Sequence, residues 1–125
     1  MSYITINQLA KLPKVELHCH LDGSLRTESI IDQAKNDKLQ LPFNNFEALS
    51  KHFTVEKRGT LEQYIKKFEI TLLVMQTPEA LLRFSYELIE DVYKENVRYI
   101  EVRFSPILHL KNGMNLHYNC LHKLL

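Results

Sequence analysis

The chain is poor in the residues and runs that mark secreted, membrane or fibrous proteins. Its 125 residues include only three glycines and two cysteines, and they contain no internal repeat or low-complexity tract. No apolar run approaches the roughly 18 residues that a membrane-spanning helix needs. The first residues, MSYITINQLAKLPK, lack the basic start, apolar core and small-residue cleavage site of a signal peptide.

An excess of one charge is also missing, because 16 basic residues nearly balance 15 acidic ones for a net charge of +1. No basic block indicates a nucleic acid or an anionic membrane as partner. Cys19 and Cys120 lie at opposite ends of the chain and, without a secretory signal, are expected to be reduced thiols. A hydrophobic content of 45% fits one globular domain. We therefore expect a soluble, cytoplasmic protein.

Two segments have the character of buried β-strands, with helical patterns between them. The first is VELHC, residues 15–19, which precedes turn chemistry at Asp22 and Gly23. The second is VRYIEVRFS, which Pro106 should stop. A helical crossover between two buried strands indicates a parallel sheet with helices packed outside it. This order predicts the α/β class and leaves open whether the sheet is a barrel or an open sheet.

Capping residues predict where the first helices begin. A short helix is expected over residues 5–11. Thr27 is the predicted cap of a helix that runs to about Lys38, and Asn45 is the predicted cap of a brief helix over residues 45–53.

Two further helices are predicted in the middle of the chain. Thr60 and Gln63 form a capping-box pattern ahead of a helix. Thr77 and a following proline begin the next helix, which Asn96 can end in a left-handed conformation. The residues expected to face inward from this last helix are Leu81, Leu88, Ile89 and Val92.

Two histidines near the end of the first strand are the strongest chemical signal in the sequence. Side chains alternate along a strand, so His18 and His20 should share one face while Cys19 points to the other. Their Cβ atoms would lie roughly 6.6 Å apart, a spacing from which two imidazoles can reach one metal ion. Asp22 has the same parity. The alternative is that both histidines are hydrogen-bonded core or loop residues, but their place at the carboxyl end of the strand favours a metal site.

Two histidines do not complete a zinc site, which needs three or four ligands. Cys19 should pack towards the helices, and a second cluster in the tail HYNCLH lacks a neighbouring element to hold it rigid. The missing ligands are therefore expected from a segment outside this chain. The other residues considered as ligands are His52, His109, His117, Cys120 and His122.

Three segments in the same order resemble the adenosine deaminase family, the single-metal members of the amidohydrolase superfamily, which are built on a (β/α)₈ barrel. PKVELHCHLDGSLR resembles the amino-terminal motif of the family, TLEQYIKKFE its lid helix and VRYIEVRFSP its second barrel strand. The resemblance covers residues 11 to about 109, and residues from about 110 to 125 are not similar to the family. It implies that residues 1–125 are the amino-terminal portion of one barrel domain, incomplete here because such a barrel needs about 250 residues.

The resemblance also implies roles for individual residues. His18 and His20 would be two ligands of a catalytic Zn²⁺, and His20, Asp22 and Gly23 would lie against a purine nucleoside, with the Asp22 carboxylate accepting a ribose hydroxyl. Glu101 and Arg103 are interpreted as a structural pair. The lid residues that would face the sugar are Leu61, Tyr64, Ile65 and Phe68, of which Tyr64 departs from the family's phenylalanine.

The implied reaction is hydrolytic deamination of adenosine and 2′-deoxyadenosine in purine salvage. The general acid, the orienting histidine and the other ligands of the family have no counterpart in this chain, so no catalytic residue is assigned within it. Adenine and adenosine monophosphate remain alternative substrates, and a truncated, non-catalytic product remains an alternative function. A cyclic-amide hydrolase with two metals is disfavoured by the LDGSL segment, and a cytidine-deaminase type of site by the lack of a C-x-x-C pair.

Overall fold

The fold is an α/β arrangement in which helices connect two strands. A computed structural model describes residues 3–43, 45–54 and 60–111. None of the helices in these ranges is both long enough and apolar enough to cross a membrane. The elements are α1 (Ile6–Lys11), β1 (Lys14–His20), a 3-10 turn (Leu21–Gly23), α2 (Thr27–Asn36), α3 (Phe46–Phe53), α4 (Leu61–Val74), α5 (Pro78–Lys94), β2 (Val97–Arg103) and a second 3-10 turn (Pro106–His109).

Threonine and asparagine caps begin four of the five α-helices found in the described ranges. The side chains of Thr5, Asn45, Thr60 and Thr77 each accept a hydrogen bond from the backbone N–H three residues further on. The caps predicted at Asn45, Thr60 and Thr77 are confirmed, and so is the capping box that Thr60 forms with Gln63.

The predicted cap of α2 is wrong. Thr27 is already the first helical residue, and Arg26 occupies the cap position without a side-chain bond to the helix. The Arg26 guanidinium reaches α5 instead, where Nε and Nη2 donate to the two carboxylate oxygens of Asp91 at 2.8 and 2.6 Å. This contact spans 65 positions of the chain, so no local pattern announces it. The helix also ends at Asn36, two residues before the predicted Lys38.

Ion pairs fasten α2 and its preceding loop to α5. The same Arg26 contacts Glu90 at 2.9 Å, and its hydrogen bonds hold the pKa of the Asp91 carboxyl below its usual range. One turn further along, Arg83 bridges Asp32 at 2.6 Å and Glu87 at 2.9 Å. Of these ion pairs, only that of Arg83 with Asp32 joins α2 itself to α5, and the bidentate contact of Arg26 with Asp91 joins the preceding residue to α5.

The two strands pair in parallel, as predicted from the helical crossover. The register places Lys14 beside Val97 and His20 beside Arg103. Asn96 takes the predicted left-handed conformation with φ 61° before β2, and its side-chain amide donates to the Lys11 carbonyl at 2.7 Å. The carboxyl ends of both strands therefore lie side by side, which is where parallel sheets place their sites.

The hydrophobic core lies among α2, α3, α4 and α5, which we call the helical layer. The stripe predicted for α5 is right for Leu88, which is buried, and for Leu81 and Val92, which are partly buried against the core. It is wrong for Ile89, which is 51% exposed, because the buried face of α5 is centred on Phe84. The side chains with almost no exposure are Ile30, Leu49, Val74, Met75, Ala80 and Phe84.

The first strand forms where predicted, but the expectation that it is buried is wrong. Val15 and Leu17 are 61% and 58% exposed, whereas Cys19 packs against the core. Within the described ranges the sheet has two strands, and the helical layer covers only the end of β1 that carries Cys19. A strand gains burial on both faces only when neighbours flank it and cover it.

Candidate metal and substrate site

The two histidines of β1 converge at the carboxyl end of the sheet. Their ring centroids are 5.0 Å apart, and Nε2 of His18 lies 3.0 Å from Nε2 of His20. The prediction that they share one face is confirmed. Cys19 points to the opposite side, where Sγ lies 3.3 Å from the Ser24 hydroxyl. Strand alternation is sufficient to produce this geometry.

The separation of the two nitrogens fits two ligands of one zinc ion. Two nitrogens bound tetrahedrally at 2.0–2.1 Å from zinc would lie about 3.3 Å apart, close to the 3.0 Å between the two Nε2 atoms. Over residues 3–43, 45–54 and 60–111, His, Cys, Asp and Glu form no group of three that could hold a metal. In this part of the protein the pair therefore falls short of the three or four ligands that a zinc site needs.

The other candidate ligands in the described ranges lie elsewhere. His52 stacks on Phe43 and Phe53 with ring centroids 5.0 and 5.6 Å away. Burial, reinforced by nearby Lys67, lowers the pKa of His52. His109 is buried, with Nδ1 at 2.9 Å from the Met75 carbonyl. The predictions for His117, Cys120 and His122 lie outside the described residues.

Arg103 of β2 joins the histidine pair, and the sequence did not indicate this contact. Its Nη1 donates to Nδ1 of His18 at 2.9 Å, and its Nη2 donates to the Leu17 carbonyl at 3.3 Å. The predicted pair with Glu101 is confirmed at 3.3 Å. We call the side of the sheet that carries His18, His20, Glu101 and Arg103 the histidine face. Its residues are all partly or largely exposed.

Asp22 lies in the turn that follows β1 and is almost completely buried, at 7% exposure. Its Oδ1 has no hydrogen-bond partner among the described residues and lies 3.8 Å from Nδ1 of His20. The turn is closed by the Ser24 hydroxyl, which donates to the His20 carbonyl at 2.7 Å. A buried carboxylate oxygen without a donor is costly, so this atom is suited to receive a hydrogen bond from a ligand.

A cavity of about 130 Å³ lies beside this turn. Its walls include Asp22 and Gly23 from the turn and Tyr64, Phe68 and Thr71 from α4. The rings of Tyr64 and Phe68 meet edge to face at 5.3 Å. The structure thus brings the turn after β1 and the helix α4 together around one cavity.

Two of the four α4 residues that were predicted to face a sugar do not line the cavity. Leu61 and Ile65 are 73% and 56% exposed, in the first two turns of α4. Tyr64 and Phe68 are on the same helix face and do reach the cavity. Helical periodicity identifies a face, but it does not tell which turn of that face meets a neighbouring element.

Gly23 allows α4 to approach the turn closely. A Cβ atom added at Gly23 would lie 3.1 Å from Cε1 of Phe68, which is closer than ordinary van der Waals contact. Any larger residue would therefore push the Phe68 ring away from the turn.

Comparisons with known proteins agree with this arrangement. The sequence profile of the family described as adenosine deaminase matches residues 13–120. An adenosine deaminase of Clostridium botulinum (strain Loch Maree / Type A3) is 50% identical over 107 residues, which are 85% of this chain and 32% of that relative. One from Vibrio vulnificus (strain YJ016) is 48% identical over 106 residues, 84% of this chain and 32% of the relative. The chain thus spans about a third of the length of these relatives.

Solved structures give the same picture of the fold. An adenine deaminase from Arthrobacter aurescens superimposes with a TM-score of 0.73 at 24% identity, over 86% of this chain and 32% of that one. An Arabidopsis N6-mAMP deaminase superimposes with a TM-score of 0.64 at 27% identity, over 81% of this chain and 30% of that one. The α/β fold with its parallel strand pair is therefore the amino-terminal part of a (β/α)₈ barrel of the amidohydrolase type.

Proposed function

Because the chain belongs to the adenosine deaminase family, we propose that it is the amino-terminal portion of a zinc-dependent enzyme that hydrolyses adenosine and 2′-deoxyadenosine to inosine, 2′-deoxyinosine and ammonia. The observation that carries the proposal is the convergence of the His18 and His20 Nε2 atoms, 3.0 Å apart, beside the buried carboxylate of Asp22. We place the reaction in purine salvage and the protein in the cytoplasm, with a purine nucleoside as partner rather than a nucleic acid or a membrane.

In this proposal His18 and His20 supply two of the zinc ligands. A zinc ion in such a site makes a water molecule available as a nucleophile at neutral pH. The chain spans about a third of the relatives, and a closed barrel needs about 250 residues. The remaining ligands, the general acid and the residue that orients the water are therefore assigned to other strands of the barrel, and none is assigned within this chain.

The substrate contacts proposed for this chain come from the turn and from α4. Asp22 would accept a hydrogen bond from a ribose hydroxyl, which would supply the donor that its Oδ1 lacks among the described residues. His20 and Gly23 would lie against the nucleoside, and Tyr64 and Phe68 would cover the sugar. Leu61 and Ile65 remain proposed contacts, since their exposed apolar side chains continue the same helix face. Tyr64 makes this wall slightly more polar than a phenylalanine would.

Adenosine is preferred over adenine or adenosine monophosphate as the proposed substrate for two reasons. The relatives that are 48–50% identical are called adenosine deaminases, while the adenine and N6-mAMP deaminases are only 24–27% identical. A nucleoside also needs an apolar cover for its sugar, which Phe68 can supply and free adenine would not require. Both alternatives are tested by offering the three substrates to the same protein.

The chain by itself is expected to be inactive, because the histidine face holds only two of the three or four ligands that a zinc site needs. We expect no release of ammonia from adenosine by the purified 125-residue chain, and we expect its zinc to be lost on dialysis. A coupled ammonia assay checks the first expectation, and metal analysis checks the second. Turnover that a chelator abolishes would show that a complete site forms without further sequence. Inactivity agrees equally with a truncated, non-catalytic product, so a second experiment is needed.

A chimera separates the enzyme from the non-catalytic alternative. Residues 1–109 of this chain replace the corresponding part of the 50% identical Clostridium botulinum adenosine deaminase. We expect the chimera to deaminate adenosine, and we expect His18→Ala, His20→Ala and Asp22→Ala each to lower its kcat/KM by at least about a hundredfold. Lys35→Ala, at an exposed position on the outer helix α2, is the matched control. A folded, zinc-loaded chimera that leaves adenosine unchanged would rule out the proposed function.

A further inference from the structure

We propose that Arg103 is a positioning residue that keeps metal-free His18 in the tautomer with its proton on Nε2, so that a metal can bind only after the guanidinium leaves Nδ1. The inference rests on the proposed function, because it concerns one of the proposed zinc ligands. It goes further in making the second strand a regulator of how readily the histidine pair accepts a cation.

The first step is the direction of the hydrogen bond between the strands. Nη1 of Arg103 lies 2.9 Å from Nδ1 of His18. A guanidinium has five N–H donors and no acceptor, so Nδ1 of His18 must accept. A neutral imidazole carries one proton, which therefore resides on Nε2. Nη2 of Arg103 also donates to the Leu17 carbonyl at 3.3 Å, which holds the guanidinium against β1.

The second step follows the proton pattern from His18 to the turn. Nε2–H of His18 points at Nε2 of His20, 3.0 Å away, so this nitrogen accepts and the proton of His20 is on Nδ1. That Nδ1 faces Oδ1 of Asp22 at 3.8 Å. Each N–H in the series Arg103, His18, His20 thus points to the next residue, and the series ends at the Asp22 carboxylate. His20 already directs a lone pair from Nε2 to the place where a metal would bind, whereas His18 directs a hydrogen there.

The third step is what metal binding requires of this pattern. Both Nε2 atoms must offer lone pairs to the ion. The proton of His18 must then move to Nδ1, and the resulting Nδ1–H cannot face a guanidinium that has only donors. Metal-ligating histidines ordinarily donate this N–H to a carboxylate, a carbonyl or water. Arg103 must therefore move away, and Oε2 of Glu101, 3.3 Å from its Nη2, is the partner that can receive it.

Charge acts in the same direction as the hydrogen bond. The guanidinium is a fixed positive charge next to one ligand of the pair, and it repels a divalent cation. Glu101 offsets part of this charge, and solvent screens more of it, because the Arg103 side chain is 49% exposed. Both effects predict that removing Arg103 makes metal binding tighter, which is the opposite of what the loss of a purely structural contact would do.

The first measurement is the tautomer of His18 in the metal-free chain, read from the ¹⁵N chemical shifts of its ring. We expect the proton on Nε2 in the wild-type chain, and we expect the fraction with the proton on Nδ1 to rise in Arg103→Met. A wild-type His18 with its proton on Nδ1 would overturn the assignment of Arg103. This result does not depend on any metal, so it tests the inference apart from the proposed function.

The second measurement is a calorimetric titration of each chain with Zn²⁺ alone. Arg103→Met is expected to bind roughly three- to tenfold more tightly than the wild type, the size expected for removing one charge-assisted hydrogen bond. Arg103→Lys keeps the charge and loses the planar fork, so its affinity should fall between the two. The matched control is Arg98→Met, an exposed position on the same strand, which removes the same charge without touching His18 and should leave the affinity unchanged.

The outcomes separate the two proposals. If the wild type binds Zn²⁺ and both Arg103 variants bind it equally tightly or more weakly, the inference is overturned and the proposed function stands. A wild type and variants that all fail to bind Zn²⁺ through His18 and His20 would count against the proposed function, while the tautomer measurement would still decide the role of Arg103. If Arg103→Met does not fold, as judged by circular dichroism, Arg103→Lys carries the same test.

Discussion

The helical layer and the histidine face differ in how far each is completed by its own residues. In the helical layer Ile30, Leu49 and Phe84 are sealed from solvent, and Arg26 fastens α5 to the loop before α2. On the histidine face, the polar side chains form hydrogen bonds with one another but remain partly or largely exposed. The contrast indicates that the energy that folds this chain comes from the helical layer, while the proposed metal ligands lie on the histidine face. Substitutions should therefore affect stability and metal binding separately.

The largest expected effect is the loss of core packing in the helical layer. Phe84 is 1% exposed and central to the buried face of α5. Phe84→Ala should lower the free energy of unfolding by about 3–5 kcal/mol, because it removes buried apolar surface and leaves a cavity. Urea denaturation measures the change. The control Tyr86→Ala, at a position 67% exposed on the same helix, should cost less than about 0.5 kcal/mol.

If Phe84→Ala prevents folding altogether, Ile30→Val is the milder substitution in the same core. It should cost about 0.5–1.5 kcal/mol, since Ile30 has no exposed surface. A core variant as stable as the wild type would break the comparison, because it would show that the helical layer does not supply the stability of the chain.

A smaller effect is expected from His52, which makes the helical layer sensitive to pH. Burial and the neighbouring Lys67 lower its pKa in the folded protein. As pH falls below about 6.5, His52 becomes protonated in the unfolded chain but stays neutral in the folded chain. The free energy of unfolding therefore decreases until the pH reaches the lowered pKa of the folded state. The slope cannot exceed about 1.4 kcal/mol per pH unit, and solvent access keeps it well below that limit.

The substitution that tests this is His52→Phe, which keeps a ring between Phe43 and Phe53 and removes the titration. Urea midpoints of the wild type should fall faster than those of the variant between pH 7.5 and pH 5.5. Parallel curves over this range would mean that His52 titrates alike in both states and that the site is open to water.

The ion pair between Arg26 and Asp91 should contribute less, and acid should weaken it at a lower pH than the one at which His52 acts. The pKa of Asp91 is lowered by the hydrogen bonds from Arg26, so its stabilisation is complete above the unfolded pKa of about 3.9 and is lost as pH falls through the folded value. Asp91→Asn should cost at most about 1 kcal/mol at neutral pH, because the pair is partly exposed. The difference from wild type should shrink below about pH 4.

The matched control for Asp91 is Glu69→Gln, which removes a carboxylate from an exposed position of α4. Its stability should follow that of the wild type throughout the acid range. A constant difference between Asp91→Asn and the wild type down to pH 2 would show that the asparagine disturbs packing rather than the ion pair.

The same contrast explains which features the sequence predicts and which it does not. Local chemistry is sufficient for the cap at Thr60, the left-handed Asn96 and the shared face of His18 and His20, since each depends on neighbours a few residues away. The parallel pairing follows from element order. These features are correct in the structure.

The features that sequence reasoning missed depend on contacts between distant segments. Arg26 rather than Thr27 occupies the cap position of α2, and its guanidinium binds Asp91, 65 residues away. The contact of Arg103 with His18 follows from strand register, which is set by the whole pairing. The exposure of Val15 could not be predicted either, because the burial of a strand depends on what packs against it rather than on its own composition.

The smallest expected effect on stability comes from the histidine face itself, and it is the sharpest test of the comparison. His18 is exposed, so His18→Ala should change the free energy of unfolding by less than about 0.5 kcal/mol. The same substitution removes one of two converging nitrogens and should abolish specific Zn²⁺ binding in calorimetry. A variant that loses metal but keeps its urea midpoint would assign fold and chemistry to separate regions. If the midpoint fell with metal affinity, the hydrogen bonds from Arg103 through His18 to His20 would have to hold the sheet together.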